Sequence, residues 1–174
     1  YAGGPSLISV LLAATATKAA IYLMVRFMFE VFPQGSAFGQ AFLTWGLAPL
    51  AAACAIVCSI QAVFARELRR MIAFSSVAQV GFIFLGISLA SADGLSASLF
   101  YMVAHGLMKA TMFMALGALA LNIGARRLDD FAGVAREAPW TAVAFAVGAA
   151  SLVGTPLTMG FLAKWGLIEA AITS

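Results

Sequence analysis

Charge is what this sequence lacks most. Of its 174 residues only 10% are charged, against roughly a quarter in an ordinary soluble domain. So few charges cannot cover a soluble surface. Two cysteines are too few for a disulfide scaffold. A single histidine, with no thiolates or acids clustered around it, offers too few ligands for a metal site. There is no cysteine cluster, haem motif or nucleotide-binding glycine loop, so no cofactor and no redox chemistry are expected of the chain itself. The net charge of +3 bears on membrane orientation more than on nucleic acid, and no nucleic-acid partner is expected.

Apolar material is abundant. Hydrophobic residues make up 63% of the chain and its mean hydropathy is +1.01. The class this implies is all-α: a polytopic, multi-pass membrane protein in contact with the bilayer throughout. A spanning helix needs about 20 apolar residues, so the length allows about five. The opening, with Tyr1 and Pro5, has no basic stretch leading into a short apolar core and does not read as a signal peptide. The C-terminal Ile172-Thr173-Ser174 stops close behind an apolar run. The expectation is a single membrane domain over residues 1–174, excerpted from a longer membrane protein.

The first span is expected from about Leu7 to Met28, the second from Phe42 to Phe64 and the third from Met71 to Ala90. The fourth is placed from Ser96 to Leu121, after a turn at Ser91-Ala92-Asp93-Gly94. A polar connector, Leu128 to Pro139, leads to the fifth, which runs from Trp140 to about Ile172. That segment is expected to break at Gly154-Thr155-Pro156 and again at Gly160. Pro156 lacks a backbone donor, and the glycines loosen both sides. Broken spans occur at membrane depth where they line a cavity or bind ions, although a kink satisfied by neighbouring helices is also common.

The connectors after the second and fourth spans share one side of the membrane. They carry Arg66, Arg69, Arg70, Arg126, Arg127 and Arg136, whereas the opposite side has only Arg26. Basic residues concentrate in cytoplasmic loops, so the arginine-rich side is expected inside.

All seven arginines thus sit at span ends or in loops, and the seven acids are peripheral. The three lysines instead lie within apolar segments: Lys18 in the first span, Lys109 near the middle of the fourth, and Lys164 beyond the break in the fifth. A lysine at mid-bilayer costs about 2.5–3.5 kcal/mol even on the lenient insertion scale. Snorkelling to the interface could relieve Lys164 if the fifth span ends early, but not Lys109. A lysine withdrawn from water can give up its proton, whereas an arginine stays charged. The lysines are therefore candidate proton-exchanging groups.

Tyr101, His105 and Lys109 follow one another at intervals of four and share a helical face. Histidine can relay protons near neutral pH. On the third span, Ser75, Ser76 and Gln79 are supporting polar groups that could hold water or bond to a neighbouring helix. Cys54 and Cys58, one turn apart, read as small packing residues.

Four stretches resemble one family in collinear order. Leu11-Leu12-Ala13-Ala14-Thr15-Ala16-Thr17-Lys18-Ala19-Ala20-Ile21-Tyr22 resembles a lysine-bearing span of the antiporter-like proton-conducting membrane subunits. Arg69-Arg70-Met71-Ile72-Ala73-Phe74-Ser75-Ser76-Val77-Ala78-Gln79-Val80-Gly81 resembles their KRMLAYSSIAQIGY stretch. His105 to Lys109 matches their HxxxK span. Gly154-Thr155-Pro156-Leu157-Thr158-Met159-Gly160-Phe161-Leu162-Ala163-Lys164 resembles GIPPLSGFxxK, with one proline in place of two. The family includes the D-type membrane component of Mrp cation/proton antiporters, the antiporter-like subunits of respiratory NADH:quinone oxidoreductase, and membrane-bound hydrogenase relatives. The run from Arg127 through Lys164 most resembles the D-type Mrp component.

The resemblance implies a fold of fourteen or so helices in two inverted repeats, with this chain covering the second repeat and its broken helix. It also implies that Lys18, Lys109 and Lys164 are the central lysines, with His105 as a relay histidine. Implied partners are other membrane subunits of a hetero-oligomeric complex, H+, and Na+ or K+. The location implied is a bacterial plasma membrane.

Overall fold

A computed structural model describes residues 8, 11, 15–31, 37–122 and 128–173. Among these residues the chain is helical, with no strand. The start of the expected first span, around Leu7, lies largely outside the described residues; helix α1 is described over Thr17–Val31. Among the described residues three helices are long and apolar enough to cross a membrane: 38–63, 68–88 and 92–122. The fifth expected span appears as two helices of 15 residues each, Pro139–Val153 and Met159–Thr173.

Helix α2 is continuous over 37–63 but not uniform. Ala37–Ala41 is α-helical, Phe42–Leu47 is a π-helix, and Ala48–Val63 is α-helical again. The Ala48 amide donates to the carbonyl of Leu43, five residues back. Pro49 explains the position. Its ring would collide with the carbonyl one turn earlier and it offers no N–H to that turn, so the helix widens immediately before it.

Helix α3, Leu68–Ser88, returns antiparallel to α2 and packs against it closely. Ala51 and Ala55 face Gly81, where an added Cβ would stand 2.8 Å from the Ala51 carbonyl oxygen. Small residues allow this approach of backbone to backbone, as in many membrane helix pairs. Cys54 belongs to the same interface, its thiol donating to the Val77 carbonyl at 3.7 Å.

Helix α4, Ala92–Asn122, is the longest and the most buried, and α3 packs against it. It starts earlier than expected, because Ser91-Ala92-Asp93-Gly94 is its first turn. Ser91 Oγ accepts from the Gly94 amide at 3.1 Å, which is N-cap geometry. Asp93 adds a favourable negative charge beside that helix end. After the 3-10 turn Leu128–Phe131 and the short turn Val134–Glu137, α5 (Pro139–Val153) and α6 (Met159–Thr173) both pack on α4. The core runs from Ile21 and Val25 of α1, through Ile72, Ile83 and Ile87, to Met108 and Met112 of α4. Its polar members are therefore conspicuous.

Candidate functional site

Tyr101, His105 and Lys109 are all fully buried, each at 0% exposure. Their four-residue spacing turns them onto the α4 face that meets the other helices. Lys109 Nζ donates to the Ile72 carbonyl at 2.8 Å and to Ser75 Oγ at 2.7 Å, both on α3. Ser75 and Ser76 each donate to that same carbonyl at 2.9 Å. Ile72 O is thus the hub of the contact. Tyr101 donates its hydroxyl to Oε1 of Gln79, further along the α3–α4 interface. Among the described residues, Lys109 has no acid partner.

His105 lies between these two bridges. Both of its ring nitrogens are buried without a hydrogen-bond partner among the described residues. A buried imidazole left this way forfeits on the order of 1–3 kcal/mol per polar atom unless water reaches it. Lys18 is also buried, at 8% exposure. It shares its α1 face with Ile21 and Val25 and stands within electrostatic reach of both His105 and Lys109. Lys18 thus adds a second buried amine, from another helix, to the interior that holds His105 and Lys109.

Lys164 belongs to a second arrangement, at the helix break. Gly154 takes the left-handed conformation that ends α5, with φ 92°. Its amide donates to the Ser151 carbonyl and the Thr155 amide to that of Ala150, both at 3.1 Å. This is the Schellman pattern. It leaves two carbonyls of the last turn, and Lys164 Nζ donates to both, Leu152 O at 3.0 Å and Val153 O at 2.9 Å. The last four carbonyls of α5 are all engaged. The cation also sits at the negative end of the α5 dipole, and 5.9 Å from the centre of the Phe82 ring on α3.

Gly160 does not break the helix a second time. It lies inside α6, one residue past its start. What it permits is contact: its amide donates to Ser151 Oγ at 3.3 Å, and a Cβ there would overlap the Ser151 carbonyl. Pro156 lies in the connection between the two helices, next to Leu157, which has φ 72°.

Of the partners of these two lysines, only Ser75 is marked in the sequence, as a polar group on the third span. Of the acceptors described above, those on Ile72, Leu152 and Val153 are backbone carbonyls, which no residue type announces. Ser151 and Phe82 carried no distinguishing signal either. Ser76 and Gln79, which share a helical face, divide their roles, Ser76 bonding within its own helix and Gln79 reaching α4.

The fold and the site together define a polytopic all-α membrane protein, with lysines and a histidine set among serines and a glutamine inside a largely apolar bundle. The model of the family described as "NADH:quinone oxidoreductase/Mrp antiporter, TM" matches residues 1–174, and the chain belongs to that family. Among similar curated proteins, NADH-quinone oxidoreductase subunit N of Desulforudis audaxviator is 35% identical over 97% of this chain and 33% of its own length. Subunit N 2 of Solidesulfovibrio magneticus is 36% identical over 98% of this chain and 35% of its own length. The chain therefore spans about a third of these relatives. Two solved structures share the fold at 34% identity. One, of the membrane-bound sulfane sulfur reductase, an archaeal respiratory membrane complex, superposes with a TM-score of 0.90 over 98% of this chain and 34% of that one. The other, of the Mrp complex from Dietzia sp. DQ12-45-1b, superposes with a TM-score of 0.88 over 97% of this chain and 31% of that one.

Proposed function

We propose that this chain is the second-repeat portion of a proton-translocating membrane subunit of a monovalent cation/proton antiporter, acting with other membrane subunits in a bacterial plasma membrane. The observation that carries the reading is Lys109. It is at 0% exposure near the middle of a spanning helix, held by a carbonyl and a hydroxyl, with no acid partner among the described residues. A static structural lysine would be expected to have a counter-charge. An amine held by neutral acceptors can take up and release a proton without breaking an ion pair.

In this reading Lys109 holds the proton against Ile72 O and Ser75 Oγ. His105, one turn away and without a hydrogen-bond partner among the described residues, accepts and returns it through water. Lys18 exchanges with the same water from α1. Lys164, at the break, is the group through which the path leaves this part of the protein. The exchanged cation, Na+ or K+, would be handled by the whole assembly.

The test is proton flux in inside-out vesicles containing the complete complex. Lys18→Arg and Lys109→Arg should assemble yet lose most of the flux, because arginine keeps its proton at any accessible pH. Wild-type flux in both variants would remove the relay.

The subunit N relatives favour a second reading: the equivalent proton-pumping subunit of a respiratory NADH:quinone oxidoreductase, with electrons carried by other subunits. Purification separates the two. Flavin- and iron–sulfur-containing partners would support the respiratory complex, and small membrane subunits alone would support the antiporter.

A further inference from the structure

Where α2 turns into α3, the chain forms an open pocket of about 480 Å³ lined by Gln61, Phe64, Arg66, Glu67, Arg70 and Phe74, among others. It lies at the ends of two spanning helices, Val63 closing α2 and Leu68 opening α3. That places it at the headgroup level of any bilayer the two helices cross. Phe64 is 79% exposed. Arg70 lays its guanidinium over the Phe74 ring, 5.6 Å from the centroid, which fixes the direction of the charge. The Leu128 amide donates to the Arg66 carbonyl at 3.3 Å, so the distant connector holds this turn in place. Neither Arg66 nor Arg70 pairs with an acid among the described residues. Glu67 at the start of α3 makes no side-chain cap, so the positive end of the helix dipole also faces this turn.

We propose that this pocket seats the phosphodiester headgroup of an anionic phospholipid. Arg66 and Arg70 bind the phosphate oxygens, and Phe64 and Phe74 lie against the upper acyl chains. Basic pockets between spanning helices at the headgroup level are suited to such lipids, and arginine offers paired donors to phosphate. Glu67 opposes the anion, but two arginines and the helix end outweigh one carboxylate. A zwitterionic headgroup would use Glu67 instead, as the partner of its amine. The two cases therefore differ in the sign of the effect of removing Glu67.

The experiment uses the full-length subunit in its complex, reconstituted in nanodiscs with equal mole fractions of phosphatidylglycerol, phosphatidylethanolamine and phosphatidylcholine. Phe64 is replaced by the photo-crosslinker p-benzoylphenylalanine, and lipid adducts are identified by mass spectrometry. The same crosslinker at Val103, on the exposed face of α4, is the control. Phosphatidylglycerol adducts at position 64 should exceed phosphatidylcholine adducts about tenfold, as for two basic residues near an anionic headgroup, with no such preference at 103. Arg66→Gln with Arg70→Gln should abolish the preference. If that pair fails to assemble, Arg70→Gln alone should reduce it roughly threefold. Glu67→Gln should strengthen it. Equal phosphatidylglycerol and phosphatidylcholine adducts in the wild type would overturn the proposal. So would loss of the phosphatidylglycerol adduct when millimolar inorganic phosphate is present during irradiation, or a dominant phosphatidylethanolamine adduct that Glu67→Gln removes.

Discussion

The ammonium nitrogen of Lys109 stands 2.7 Å from Oγ of Ser75, across the α3–α4 interface. The hydroxyl in turn donates to the Ile72 carbonyl that the lysine also engages, so lysine, serine and carbonyl close a ring. Ser75→Ala should leave assembly intact and lower proton flux about three- to tenfold. The net worth of an ordinary hydrogen bond, about 0.5–1.5 kcal/mol, spans that range, and the bond to Ile72 still holds the lysine. Flux in vesicles, together with complex recovery on native gels, checks this. Unchanged flux would make Ser75 a bystander.

His105→Gln keeps a polar side chain of similar reach but cannot carry a proton as a cation. It should slow transport by about tenfold or more, as for a lost acid–base group, while the complex assembles. If the variant transports at the wild-type rate from about pH 6 to 8, His105 is only a packed polar residue.

Lys164 caps α5, and in the proposed function it also exchanges protons. Lys164→Arg should preserve the cap, since a guanidinium also donates to carbonyls, yet abolish most of the flux. Lys164→Met strands the carbonyls of Leu152, which is buried, and Val153, which is exposed, and an unsatisfied buried group costs about 1–3 kcal/mol. It should lower both flux and thermal stability. Equal melting temperatures for the arginine and methionine variants would contradict the capping role.

Orientation follows from the arginines. A cysteine replacing Ala132, in the connector between α4 and α5, should react with an impermeant thiol reagent in inside-out vesicles and stay protected in intact cells. Labelling from the outer face would reverse the topology.

How much of this was legible in the sequence depends on which atoms do the work. The spans announced themselves through hydropathy, and the positions of Lys18, His105 and Lys109 through their isolation among apolar residues. Tyr101 was legible for a different reason: helical periodicity put it on the lysine face. Helix starts were harder. Ser91 to Gly94 has turn composition, yet serine followed by an acid is also how a helix begins, and here the cap prevailed. The π-helical stretch before Pro49 was missed, because hydropathy does not register a widened turn. Gly160 was read for its flexibility when its use is the absence of a side chain against Ser151. The acceptors on Ile72, Leu152 and Val153 had no sequence signal, since every residue carries a carbonyl.

The closure of the α5 terminus has a mechanical consequence. A hinge needs backbone groups that can change partners as it swings, and where a helix end faces lipid no water receives those released. Here all four final carbonyls of α5 are occupied, two of them by a side chain rooted in α6, and Gly160 is seated on Ser151. The joint is therefore closed as an elbow: swinging α6 away from α5 would first have to break the two bonds of Lys164 and lift Gly160 off Ser151.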